Sequence, residues 1–158
     1  MNAQTSPIQT LVVDDSLDEC VLLNAELRSF AFLDLIGFVH DGIEAISYLL
    51  GVEQFKDRNI FPYPDVLLLD YSMPRCGGMQ VLEFLHRQSQ RPRVILWSNT
   101  LDQVNVPLAL HFGADMVCHK PADRRELLDL FRRLQMKTSL KPAATPFVDQ
   151  CQILCANA

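Results

Sequence analysis

No run of apolar residues in this chain of 158 approaches the roughly 20 needed to cross a bilayer. The first ten residues, MNAQTSPIQT, lack the charged head and apolar stretch of a secretory signal. Those two absences predict a cytoplasmic protein that neither spans nor binds a membrane. The cysteines number 5 and include no close CxxC pair. An odd count without that spacing points to reduced thiols, not to a disulfide framework or a zinc site. Positive charge is scarce: 14 Lys and Arg stand against 19 Asp and Glu, a formal net charge of -5. The only basic clusters, Arg124-Arg125 and Arg132-Arg133, have the spacing of the wet face of one helix. No nucleic-acid partner is therefore expected. Internal repeats are absent as well.

What is present suits one domain with a single core. The composition is 49% hydrophobic and 21% charged, ordinary for a folded chain of this length. Five short apolar segments stand out: Ile8 to Val13, Leu33 to Val39, Asp65 to Leu69, Arg93 to Trp97 and Asp115 to Cys118. Continuous apolar runs of this kind are parallel strands covered on both faces. Helical patterns fall between and after them, at Leu17 to Phe30, Gly42 to Leu50, Gly78 to Gln88, about Val106 to Phe112, and Asp123 to Met136. In the last, Leu127, Leu130, Phe131 and Leu134 make an apolar stripe at i, i+3, i+4, i+7. Strand and helix alternate five times, which predicts an α/β fold with a doubly wound parallel sheet.

Three further features stand outside that pattern. The connection from Gly51 to Pro64 is long enough to suggest a functional loop. Pro107 fits only the first turn of a helix, so the fourth helix should start late, with Asn105 as its cap. Beyond the domain, expected over 7–136, residues 137–158 read as a linker. A short amphipathic helix is expected there, because Phe147, Val148, Cys151, Leu154 and Cys155 share one helical face behind Thr145 and Pro146. Its apolar face would need a partner, either this domain or a second subunit.

In open parallel sheets, ligands bind outside the carboxyl ends of the strands. The first strand ends in Asp14 and Asp15, the third in Asp70, the fourth in Ser98 and Asn99, and the fifth in Lys120 and Pro121. Taken singly, each is a helix cap or turn residue as readily as a site residue. Taken together, they would bring three carboxylates, a hydroxyl and an ammonium to one rim. Carboxylates so placed raise each other's pKa, and a divalent cation relieves the repulsion. An all-oxygen site with open water positions suits Mg2+. Asp70 could then attack phosphorus as a carboxylate nucleophile. Lys120 and the Ser98 hydroxyl could neutralise and bind the phosphoryl oxygens.

The segments LVVDDS, LLLDYSMP, ILWSN and HKPAD, in this order and spacing, resemble the receiver domain of two-component response regulators. The likeness covers about Ile8 to Met136. It implies the flavodoxin-like receiver fold, with five parallel strands in the order 2-1-3-4-5. It also implies phosphorylation of Asp70 by a histidine kinase. Mg2+ would be held by Asp14, Asp15, Asp70 and the backbone carbonyl of Ser72, with Ser98 as the switch hydroxyl and Lys120 as the lysine of the family pattern. The stretch from His40 to Asp70 is similar to single-domain regulators that serve phytochrome and related sensor kinases. Those lack an output domain and commonly form homodimers.

The chain departs from the pattern at three positions. Val117 occupies the place of an aromatic switch residue, Asn99 that of a small residue, and Gly77 that of a common aspartate. Trp97 reads as core. The leading expectation is a non-enzymatic phospho-switch that signals by altered protein binding. The alternative is a receiver-like scaffold that works by constitutive dimerisation or partner binding. A phosphohydrolase of the aspartyl-phosphate type fits poorly, because Ser72 stands where such enzymes place an acid/base carboxylate.

Overall fold

The structure is a computed structural model that describes residues 6–138 and 147–148. Its strands are β1 (Ile8–Val13), β2 (Leu33–Val39), β3 (Val66–Asp70), β4 (Arg93–Ser98), β5 (Met116–His119) and β6 (Phe147–Val148). Its helices are α1 (Leu17–Arg28), α2 (Gly42–Leu50), α3 (Gly78–His86), α4 (Val106–His111) and α5 (Arg124–Thr138). The sheet is parallel throughout, in the order β2-β1-β3-β4-β5-β6. Its first five strands stand in the doubly wound order 2-1-3-4-5 anticipated for the fold. No helix among the described residues is long and apolar enough to cross a membrane.

Alternation along the buried strands divides the core in two. Leu11, Val13, Leu67, Leu69, Leu96 and Val117 face one side, where α2, α3 and α4 contribute Leu49, Leu82 and Ala109. Val12, Leu68, Ile95 and Trp97 face the other, under Leu27 of α1 and Leu127 and Phe131 of α5. Trp97 is core, as its sequence position suggests, and its indole N–H has no partner among the described residues.

Local chemistry sets the element ends. Ser16 caps α1, its hydroxyl accepting from Glu19 N, and Asp41 caps α2 by accepting from Glu44 N. Asn105 caps α4 with Pro107 in the first turn, as the sequence requires. Asp123 accepts from Arg125 N and Glu126 N at the head of α5. Asp70 lies inside β3 instead of after it, because its backbone pairs in register with Trp97. Gly78 opens α3 hard against that strand: a Cβ there would meet the Asp70 carbonyl oxygen at 2.5 Å. Only glycine allows that approach.

One expectation needs correction, and the length of the connection from Gly51 to Pro64 has a structural reason. Arg58 donates to the carbonyls of Tyr48, Leu49 and Phe61, which closes the end of α2. Tyr48, Phe55 and Phe61 pack as an aromatic cluster, with ring centroids 4.9 to 6.0 Å apart. The segment is long because it folds into this plug. Phe147 and Val148, expected to open a tail helix, instead pair with Met116 and Val117 as a sixth strand. Both residue types favour strands, and pairing covers the otherwise open edge of β5. The remaining positions of the expected helix lie outside the described residues.

Candidate functional site

The carboxyl ends of β1, β3, β4 and β5 bring the five strand-end groups to one cleft. It measures about 200 Å3 and is lined by Asp15, Ser16, Glu19, Asp70, Ser72, Ser98, Asn99, Thr100 and Lys120. Asp14 is wholly buried beside it, with its backbone N–H bound to the Val39 carbonyl and its Oδ1 accepting from Ser16 N at 2.9 Å. Asp15, the next residue, is exposed. Asp70 and Ser98 are buried at the ends of their strands. One carboxylate oxygen from each of Asp14, Asp15 and Asp70 lies within 4.8 Å of the others.

Lys120 is fixed at its backbone, where its N–H donates to the Ser98 carbonyl at 3.0 Å. Its Nζ lies 2.7 Å from Asp14 Oδ2, 2.5 Å from Glu19 Oε2 and 3.4 Å from Asp70 Oδ2. Burial works against the charge on this ammonium, but the hydrogen bonds to Asp14 and Glu19 outweigh it and hold its pKa above the ordinary lysine range. Burial likewise opposes the charge on Glu19, and the bond to Lys120 overcomes it, so that pKa is lowered. Asp70 behaves differently. Burial, with the charge of Asp14 adding to it, pushes its pKa up to about 6 against the pull of Lys120. The Ser72 N–H approaches Asp70 Oδ1 at 3.4 Å. The Ser98 hydroxyl accepts from Thr100 N at 3.0 Å and lies 3.4 Å from the Thr100 hydroxyl.

The donor set is therefore three carboxylates, two of them buried, and burial makes Asp70 costly to ionise alone. All are hard oxygen ligands, with no thiol or imidazole among them, which fits a magnesium-sized cation better than a soft metal. The structure brings together every site residue that the sequence singles out: Asp14, Asp15, Asp70, Ser72, Ser98 and Lys120. Val117, the departure at the aromatic position, is buried in the core beneath α2 to α4, paired in register with Leu96. Glu19 and Thr100 belong to the cleft and escaped sequence reasoning. Glu19 had a signal, since Ser16 and Glu19 have the spacing of a helix capping box, but that signal names a cap and not a partner for Lys120.

A parallel sheet in the order 2-1-3-4-5, with an acidic cluster and a lysine at its carboxyl edge, defines a receiver-type domain. Response regulator receiver domains as a family match residues 10–132, and the chain belongs to that family. A relative, protein-glutamate methylesterase/protein-glutamine glutaminase 5 of Myxococcus xanthus, is 33% identical over 117 residues, 73% of this chain and 31% of its own length. The chain spans 31% to 53% of the length of curated relatives that it matches. Among solved structures, the CheX–CheY–BeF3–Mg2+ complex from Borrelia burgdorferi matches at a TM-score of 0.66 and 28% identity, over 82% of this chain and 90% of that one. Response regulator RPA3017 in red light signaling of R. palustris matches at 0.63 and 28% identity, over 80% and 91%.

Proposed function

We propose that the chain is a phosphoryl-accepting switch of a two-component phosphorelay, with Asp70 as the acceptor. The observation that carries this reading is the convergence of Asp14, Asp15, Asp70, Ser98 and Lys120, from four separate strands, on one small cleft. Asp70 attacks the phosphorus of a phosphohistidine on a sensor kinase. An O–P bond forms on Asp70 as the P–N bond breaks, and the imidazole nitrogen leaves with the electron pair and takes up a proton. Mg2+, held by Asp14, Asp15, Asp70 and the Ser72 carbonyl, would shield the charge of the incoming group. Lys120 sits close enough to Asp70 to receive one phosphoryl oxygen, and the Ser98 hydroxyl can turn from Thr100 to donate to another. The CheX–CheY complex, which contains Mg2+ and BeF3, supports the chemistry.

The phosphorylated site then alters the affinity of the domain for a protein partner, without enzymatic turnover of an external substrate. A red-light-sensing kinase of the phytochrome type is the donor favoured by the R. palustris relative and by the similarity of the stretch from His40 to Asp70. Phosphotransfer profiling against candidate histidine kinases tests both levels. Mg2+-dependent labelling of the wild type and none of Asp70→Asn supports the switch. Labelling retained in Asp70→Asn rejects Asp70 as acceptor, and transfer only from non-photosensory kinases rejects the phytochrome link.

Val117 favours a second reading. With a buried valine where an aromatic switch residue would stand, the domain could act as a constitutive homodimer or scaffold. A dimer and a partner affinity unchanged by beryllium fluoride with Mg2+ would favour the scaffold over the switch.

A further inference from the structure

Glu19 occupies the cleft without a place in the chemistry above. A glutamate three residues after a capping serine ordinarily reaches back to the backbone N–H of that serine. Here Asp14 Oδ1 takes the Ser16 N–H at 2.9 Å, so the Glu19 carboxylate is released from capping. Both of its oxygens are bound elsewhere. Oε2 meets the Lys120 ammonium at 2.5 Å, and Oε1 accepts from Asn99 Nδ2 at 3.2 Å. Asn99 directly follows Ser98, so the pair ties α1 to the end of β4 across the mouth of the cleft.

We propose that Glu19, held in place by Asn99, is a displaceable counterion of Lys120 and so a positioning residue that sets how tightly Asp70 holds its phosphoryl group. The inference rests on the reading of Asp70 as the phosphoryl acceptor. A lysine ammonium has three protons to donate, and here three carboxylates surround it: Asp14, Glu19 and, at the longest distance, Asp70. An acceptor-rich phosphoryl group on Asp70 draws the ammonium toward itself and away from one of its two closer partners, Asp14 or Glu19. Asp14 is not the one to yield: its side chain is 0% exposed, and its second oxygen is taken by Ser16. The Glu19 side chain is 35% exposed, so water can solvate it once Lys120 leaves. Glu19 is therefore the partner released, and the strength of its hold on Lys120 opposes phosphoryl binding. Asn99 strengthens that hold by fixing the second oxygen.

Beryllium fluoride at saturating Mg2+ is the probe, followed through the fluorescence of Trp97, the chain's single tryptophan, and by the decay of phosphorylated protein. Glu19→Gln should tighten beryllium fluoride binding and lengthen the phosphoryl lifetime about tenfold, the scale of one charge-assisted hydrogen bond. Glu19→Asp keeps the charge but falls a methylene short of Lys120, and should behave like Glu19→Gln. Asn99→Ala should shift both readouts the same way by a smaller factor, with no further gain when combined with Glu19→Gln. Glu26→Gln removes the same charge from the same helix at the residue paired with Arg124, and should leave both unchanged. Unchanged or weaker binding in Glu19→Gln overturns the proposal, as does a wild-type Glu19→Asp, which would reduce the effect to a general field. Undiminished beryllium fluoride binding by Asp70→Asn would instead overturn the reading of Asp70 itself.

Discussion

The ammonium of Lys120 stands 3.4 Å from the carboxylate of Asp70, the longest of its three carboxylate contacts. Asp70 is thus the weakest partner of its own counterion, and burial decides its protonation. Its pKa rises from an ordinary 3.8 to about 6. A carboxylate raised in the folded state is a stabilising group only while protonated. Its contribution is fully present below its ordinary value and is lost as the pH climbs through about 6.

Above that pH, the free protein carries the cost of an ionised Asp70. Two pKa units correspond to about 3 kcal/mol as an upper scale. Asp70→Asn should therefore be more stable than the wild type at neutral pH without Mg2+, by about 1–3 kcal/mol. The gap should close as the pH falls toward about 4, and should narrow at neutral pH when Mg2+ binds the wild type. Urea denaturation across that pH range, with and without chelator, checks each part. An Asp70→Asn variant less stable than the wild type at neutral pH would contradict a net cost of ionising the buried Asp70.

Restoring an aromatic residue at position 117 should not restore an aromatic switch. Val117 is 1% exposed, packed beneath α2 to α4. A tyrosine there would have to displace the side chains packed around it. Val117→Tyr should lose about 1–3 kcal/mol of stability by overpacking, as read by chemical denaturation. An unchanged or raised stability would show that the core opens at this point.

The plug between α2 and β3 is separable from the site. Arg58→Ala removes three donors from the carbonyls of Tyr48, Leu49 and Phe61. It should lower stability by about 1–3 kcal/mol, the range for unpaired partly buried groups, while Mg2+ affinity stays at the wild-type value. A matching loss of Mg2+ affinity in calorimetry would return this segment to a functional role.

How much of this was legible in the chain depends on how far apart the interacting residues lie. The strands and the carboxyl-edge residues were readable because each apolar run ends directly in its polar group: Val13 in Asp14, Leu69 in Asp70, Trp97 in Ser98. The fold then brings those ends together without further information. The role of Glu19 was not readable, since Lys120 lies 101 positions away and Asn99 lies 80 away, and the local Ser16 to Glu19 spacing pointed to capping. Arg58 is one charge in the segment from Gly51 to Pro64, and nothing in the sequence names the carbonyls of Tyr48, Leu49 and Phe61 as its partners. Phe147 and Val148 have both a helical spacing and strand-forming side chains, and the open edge of β5 decided between them.

The proposed switch stands on Asp70 as the phosphoryl acceptor. Intact-mass measurement of the protein after Mg2+ and a small-molecule phosphodonor tests it most directly. The wild type should gain one phosphoryl group, lost on removal of Mg2+ before the reaction, and Asp70→Asn should gain none. An equal gain by Asp70→Asn would contradict the claim.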